Sequence, residues 1–158
     1  MKNNAKKEKI YYRKGHLDFY DSVKQNEHLD SIFATIIKDG TRGIALKKDL
    51  ISPGLSFDLK PIVGKTGLTI KASARVYFSG IPSGDIIITI QDKNGKTLKW
   101  DSKGFDRFLP VTQGWVTLDY KIGIDKIDPS ADKIKVILWN TGQQDIYASG
   151  VYAEITGY

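Results

Sequence analysis

An all-β fold, a sandwich or barrel of antiparallel strands, follows from three features of this sequence. The stretch "GLTIKASARVYFSG" sets Leu68, Ile70, Ala72, Ala74, Val76 and Phe78 on one side. Thr69, Lys71, Ser73, Arg75 and Tyr77 fall on the other. Period two over that length is the pattern of a half-buried strand. Shorter runs of the same kind recur behind it, divided by Gly, Pro, Asn and Asp. Finally, Asn94-Gly95 between "DIIITIQ" and "KTLKWDS" is a strong hairpin turn signal.

Taken in order, "LDFYDSV" reads as a first strand. "HLDSIFATIIKDG" supports two readings. Leu29, Ile32, Phe33, Ile36 and Ile37 have helical spacing with Gly40 as a stop. The Ile and Thr content, and Asp39-Gly40 before "RGIALKK", suit a hairpin, and strand is the favoured reading. "LSFDLKPI" alternates through Leu55, Phe57 and Leu59. A loop carrying Phe105, Phe108 and Pro110 precedes "GWVTLDYKIGI", where Val116, Leu118, Tyr120 and Ile122 share a face. "KIKVILWN" points Ile134, Val136 and Leu138 inward and Lys135, Ile137 and Trp139 outward. "DIYASGVYAEI" ends the chain, with Gly150 marking a bulge.

A chain of 158 residues fits one domain and buries about two thirds of its unfolded surface, so it needs neither disulfide nor metal to fold. The absence of cysteine excludes thiol catalysis and thiolate metal sites without fixing a compartment. No apolar run approaches the roughly 20 residues of a spanning helix. "MKNNAKKEKI" has lysines but no hydrophobic segment behind them. The expectation is either a cytosolic product or a domain of a longer exported or membrane-anchored chain. Lys2, Lys6, Lys7, Lys9, Arg13 and Lys14 against Glu8 alone carry five of the six net positive charges. Residues 1–14 are therefore expected to form a flexible basic arm, with the domain in residues 15–158. A nearly neutral remainder argues against a nucleic-acid partner, whose binding rests on many phosphate contacts. Membrane contact would come only through a neighbouring segment.

Four places give the chain a family likeness: "LDFYDS", "GTRGIALKKD", "QGWVTLDYKI" and "KIKVILWNTGQQDIYASGVYAEI". Their order over residues 17–156 resembles that of the jelly-roll carbohydrate-binding and galactose-binding-like domains attached to larger bacterial proteins. The resemblance implies an antiparallel two-sheet β-sandwich of jelly-roll type, an extracytoplasmic location and a glycan partner. Such domains often hold a structural calcium through acids in the opening and closing strands. Here Tyr20 and "ASGV" (Ala148 to Val151) stand at those places. Asp18, Asp21 and Asp145 remain as oxygen donors, and the expectation is no metal site.

Elimination argues against catalysis, with a glycan-active enzyme as the weakest of three readings behind a binding module and a structural or protein-interaction domain. His16 and His28 sit near no nucleophile elbow and in no H-E-x-x-H motif. Glycoside hydrolysis uses two carboxylates across one bond. The three glutamates are Glu8, Glu27 and Glu154, and Asp119 is the one acid well inside a strand, a place where an outward Asp is ordinarily just solvated. "GKTG" at 64–67 lacks the spacing of a phosphate loop. The expectation is a non-catalytic module without cofactor. Sugars lay apolar C–H faces on aromatic rings and offer hydroxyls to polar side chains, so outward aromatics with polar neighbours are the candidates. These are Trp139, Tyr77 and Trp100 for stacking, with Arg75, Gln91 and Asn140 for hydrogen bonds. Trp115, after Gly114 at a strand start, reads instead as a plug at the sandwich edge.

Overall fold

The computed structural model describes residues 11–59, 66–80, 83–108 and 113–158. Strand β1 (Tyr11–Asp18) leads into two short helices, α1 (Phe19–Lys24) and α2 (Glu27–Ile32). Nine further strands follow: β2 (Ala34–Lys38), β3 (Thr41–Leu46), β4 (Leu55–Asp58), β5 (Thr66–Phe78), β6 (Asp85–Asp92), β7 (Thr97–Gly104), β8 (Gly114–Lys126), β9 (Ala131–Trp139) and β10 (Ile146–Gly157). A 3-10 turn (Phe105–Arg107) follows β7.

Among the described residues the strands form two antiparallel sheets. One runs β2-β3-β10-β5-β8, with β1 also bonded to β10; the other runs β4-β9-β6-β7. From β3 onward, that is first-eighth-third-sixth facing second-seventh-fourth-fifth. This is the strand order of a jelly roll, as the family resemblance implied.

The inner faces explain why the sheets meet. All six apolar positions expected on β5 are buried, as are Ile134, Val136 and Leu138 of β9. The larger sheet contributes Ala72, Ala74, Ala148 and Ala153, and the smaller contributes Ile86, Ile88, Ile90, Ile134 and Val136. Beside those alanines the larger sheet also buries Ile70, Val76, Val151 and Ile155, so the two layers share one apolar core.

Two turns obey their local chemistry. Asp39 and Gly40 both have positive φ (48° and 78°), the requirement of the two-residue turn between β2 and β3. In the β6–β7 hairpin, Gly95 takes φ 84° while the Asp92 carboxylate accepts from the Asn94 and Lys96 amides. Gly150 marks the expected bulge: the register of β10 against β5 shifts between Ala148 and Gly150. A Cβ there would lie 2.4 Å from the Leu17 carbonyl oxygen, so β1 can approach only a glycine.

Three expectations change. "LDFYDSV" is not a strand throughout; β1 ends at Asp18, whose carboxylate accepts from the Asp21 amide and caps α1. The double reading of "HLDSIFATIIKDG" has a double answer. Asn26 caps α2, and the β-branched run from Ala34 then forms β2. The flexible arm does not extend to residue 14, because Tyr11 to Asp18 pair with Gly157 to Gly150. Tyr11 is 5% exposed and its hydroxyl donates to the Asp58 carbonyl oxygen at 2.6 Å. Residues 1–10 lie outside the described residues, as does Pro110.

That bond ties the larger sheet to the smaller one. Tyr11→Ala is expected to cost about 3 kcal/mol, on the scale of an emptied aromatic core site. A thermal melt should then fall by roughly 6–12 °C. An unchanged midpoint would show that the start of β1 is not packed.

Candidate functional site

The candidate residues divide between the two outer faces of the sandwich. On the smaller sheet, Trp100 of β7 lies opposite Thr89, and Trp139 of β9 lies opposite Asp85. The Ile87–Ile137 pair occupies the row between. From these two rows the rings lean together until their centroids are 6.4 Å apart and nearly perpendicular, an edge-to-face contact. Ile87 and Ile137 have outward parity yet are buried, and the loop at Gly54 approaches Ile137 from outside. Trp100 remains 50% exposed, and Trp139 is half-buried beside Ile51, with which it forms a β-bridge.

The border of this pair is polar. Thr89 and Lys135 lie in the Trp100 row, Ser102 opposite Ile87, and Gln91 opposite Lys133 farther along β6. The Thr89 hydroxyl is buried without a hydrogen-bond partner among the described residues. Such groups are uncommon in native proteins.

Asn140 is not part of this surface. It is fully buried, and its amide nitrogen donates to the Leu46 and Gln144 carbonyl oxygens, each at 2.8 Å. Its side-chain oxygen accepts from the Gly142 amide. Asn140 fastens the β9–β10 loop and has nothing left for a ligand.

Tyr77 and Arg75 lie on β5, on the opposite side of the molecule. Tyr77 meets Trp115 and Tyr147 edge-on, at 5.5 and 6.2 Å. The Lys38 ammonium sits 4.8 Å from the ring centroids of both tyrosines. The Trp115 indole N–H donates to the Lys38 carbonyl oxygen, and the Arg75 guanidinium lies 6.0 Å from the Trp115 ring. Trp115 therefore does not plug the sandwich edge. It joins an aromatic clasp that holds the end of the β2–β3 hairpin, and Tyr77 is occupied there.

Farther along that outer face, side chains absent from the candidate set converge. Glu154 accepts the Tyr152 hydroxyl. That bond is the main reason its carboxyl is held below the usual range, with the Tyr12 hydroxyl, Lys71 and Lys14 acting in the same direction. The same bond pushes Tyr152 up to about 12. Continued outward parity through "VYAEITGY" was the available signal for Tyr152, Glu154 and Tyr158. Their meeting with Tyr12 and Lys71 depends on long-range pairing.

Among the described residues no three His, Cys, Asp or Glu side chains gather as a metal cluster. The Asp18 carboxylate accepts from the Asp21 amide as the cap of α1.

No family model matches the chain, and no curated protein matches its sequence. Solved structures do. The infectious bursal disease virus VP2 subviral particle aligns with TM-score 0.54 at 15% identity, over 94% of this chain and 33% of that one. The capsid of the same virus's Gx strain aligns at 0.51 and 15%, over 93% and 33%. The chain thus spans about a third of those capsid chains. A family 16 carbohydrate binding module aligns with TM-score 0.43 at 19% identity, over 77% of this chain and 84% of that one. At such identities the capsid likenesses establish the β-sandwich fold alone.

The tyrosine–glutamate bond sets a pH dependence at both extremes. A raised tyrosine pKa contributes stability that is present below pH 10.0 and lost as pH rises through about 12. A lowered carboxyl pKa contributes stability present above 4.5 and lost as pH falls through the folded value. In Tyr152→Phe, the Glu154 titration followed by carboxyl NMR should move up toward 4.5. An unmoved titration would mean the bond is absent in solution.

Proposed function

We propose that this chain is a non-catalytic binding module of a longer extracytoplasmic protein, and that it takes carbohydrate on the outer face of its smaller sheet. The observation that carries the reading is Trp100, half exposed and braced edge-on by Trp139 on a sheet face with polar borders. A sugar ring would lie on the open face of the Trp100 indole. Gln91 and Ser102 border the platform and would serve its hydroxyls.

The acids favour binding over hydrolysis. Glu154, held ionised by its tyrosine, is a poor proton donor. Asp85 has a raised carboxyl, caused by burial and then by the neighbouring Asp106. Both carboxylates crowd Gly104. A protein-docking role is the second reading, favoured by Ile51, which is 47% exposed and continues the apolar surface beyond Trp139.

Affinity electrophoresis through neutral polysaccharide gels tests the first reading with Trp100→Ala. Stacking of about 1–3 kcal/mol per ring predicts a five- to hundredfold loss of retardation. Stability should fall by well under the roughly 3–5 kcal/mol of an emptied core site. Retention of full binding would overturn the site. No retardation of the wild-type protein on any such gel would leave the docking reading in its place.

A further inference from the structure

The outer face of the larger sheet holds a second constellation, remote from the tryptophan pair. Register sets its side chains in rows across β8, β5, β10 and β1. One row reads Lys121, Lys71, Glu154, Lys14. The row nearer the aromatic clasp reads Asp119, Ser73, Tyr152, His16, and the row beyond reads Gly123, Thr69, Thr156, Tyr12. Two clefts open here, of ≈ 310 Å³ between Asp119 and Tyr152 and of ≈ 510 Å³ beside Tyr12 and Tyr158. Lys71, Lys121 and Glu154 line both, so the clefts join across that row.

The row sets three ammonium groups against one carboxylate, Glu154. Lys71 and Lys121 are directly opposite on neighbouring strands and both exposed, an arrangement that costs stability when nothing lies between them. The nearest acid toward β10, Glu154, already accepts the hydroxyls of Tyr152 and Tyr12. An anionic group bridging the two ammonium groups would turn their repulsion into attraction. Beyond the lysines stand carboxylates, Asp119 in the neighbouring row and Glu154 in the same one. They disfavour a ligand charged at every unit and favour hydroxyl groups, which donate to them. Tyr12, 41% exposed, and the half-buried Tyr152 offer ring surface on either side.

We propose that this groove is a second, independent ligand site that takes a glycan with isolated acid groups. Lys71 and Lys121 hold one carboxylate or sulfate, while neutral sugar units on either side meet Tyr152, Asp119 and Tyr12. A nucleic acid, with a phosphate at every unit, suits the flanking carboxylates poorly. The site does not rest on the tryptophan platform of the other face, and either can fail alone.

Calorimetric titration of the full chain tests it with four probes. These are a neutral xylo-oligosaccharide, the same oligosaccharide bearing one glucuronate, one bearing a single sulfate, and an oligogalacturonate charged at every unit. The expected result is at least about tenfold tighter binding of one or both singly charged probes than of the neutral one, the scale of a charge-assisted contact. The sulfate and glucuronate arms show which acid group the lysines accept. Lys71→Gln/Lys121→Gln, both exposed positions, should remove that preference without lowering the melting temperature. Trp100→Ala should preserve it. Equal binding of neutral and charged probes, or no binding of either singly charged probe, would overturn the proposal. So would a preference that survives the double lysine variant, one that vanishes in Trp100→Ala, or tighter binding of the oligogalacturonate.

Discussion

Strand β10 is the constraint on which the rest of the molecule depends. One side of it bonds to β5 from Tyr147 to Gly157. The other side is shared in succession by β3, over Ile146 to Ala148, and by β1, over Gly150 to Gly157. The handover falls at the bulge, where Gly150 admits the Leu17 carbonyl and lets β1 take over as β3 leaves. A second close approach secures β3, since a Cβ on Gly43 would lie 2.4 Å from the Ala148 carbonyl oxygen. Segments from the beginning and middle of the chain thus close only around its end. That makes the fold dominated by non-local contacts, a topology associated with slow folding.

The same strand composes one of the two outer surfaces. Its outward residues Tyr147, Tyr152 and Glu154 meet β5 residues some 70 to 85 positions earlier in the chain, where Tyr77, Ser73 and Lys71 lie. The surface of the other sheet is composed by β6, which sits between β7 and β9 and so brings Trp100 toward Trp139. The faces differ in chemistry because their central strands differ. "DIIITIQ" leaves Ile87 outward and in need of cover, whereas β5 and β10 present Lys, Ser, Arg, Tyr and Glu.

Much of the fold was legible because the period of a strand is local. The alternation of Leu68 through Phe78, the inward set Ile134, Val136 and Leu138, and the turn residues Asn94-Gly95 and Asp39-Gly40 all report on their own neighbourhoods. Helix α1 escaped notice because "LDFYDSV" alternates well enough to pass for a strand, and only the capping geometry of Asp18 separates them. The candidate site was less legible. Parity shows that Tyr77 and Trp139 both point outward, but not that they point outward from opposite sheets. Nor does it separate a polar residue offered to a ligand from one tying a loop. Asn140 is the latter, its amide engaged by Leu46, nearly a hundred residues earlier. Lys71 and Lys121 were visible as outward residues of separate strands, and only the β5–β8 register makes them neighbours.

If β10 organises the fold, its backbone amides should be among the slowest to exchange with solvent. Native-state hydrogen exchange measured by NMR tests this most directly. The account predicts that amides from Val151 to Ile155 exchange only through global unfolding, together with their partners in β1 and β5. The solvent-facing amides of the edge strand β8 should exchange much sooner, by local opening. Early exchange along β10 with late exchange in β8 would contradict the account, because the last strand would then lie at an edge and neither outer face would be assembled as described.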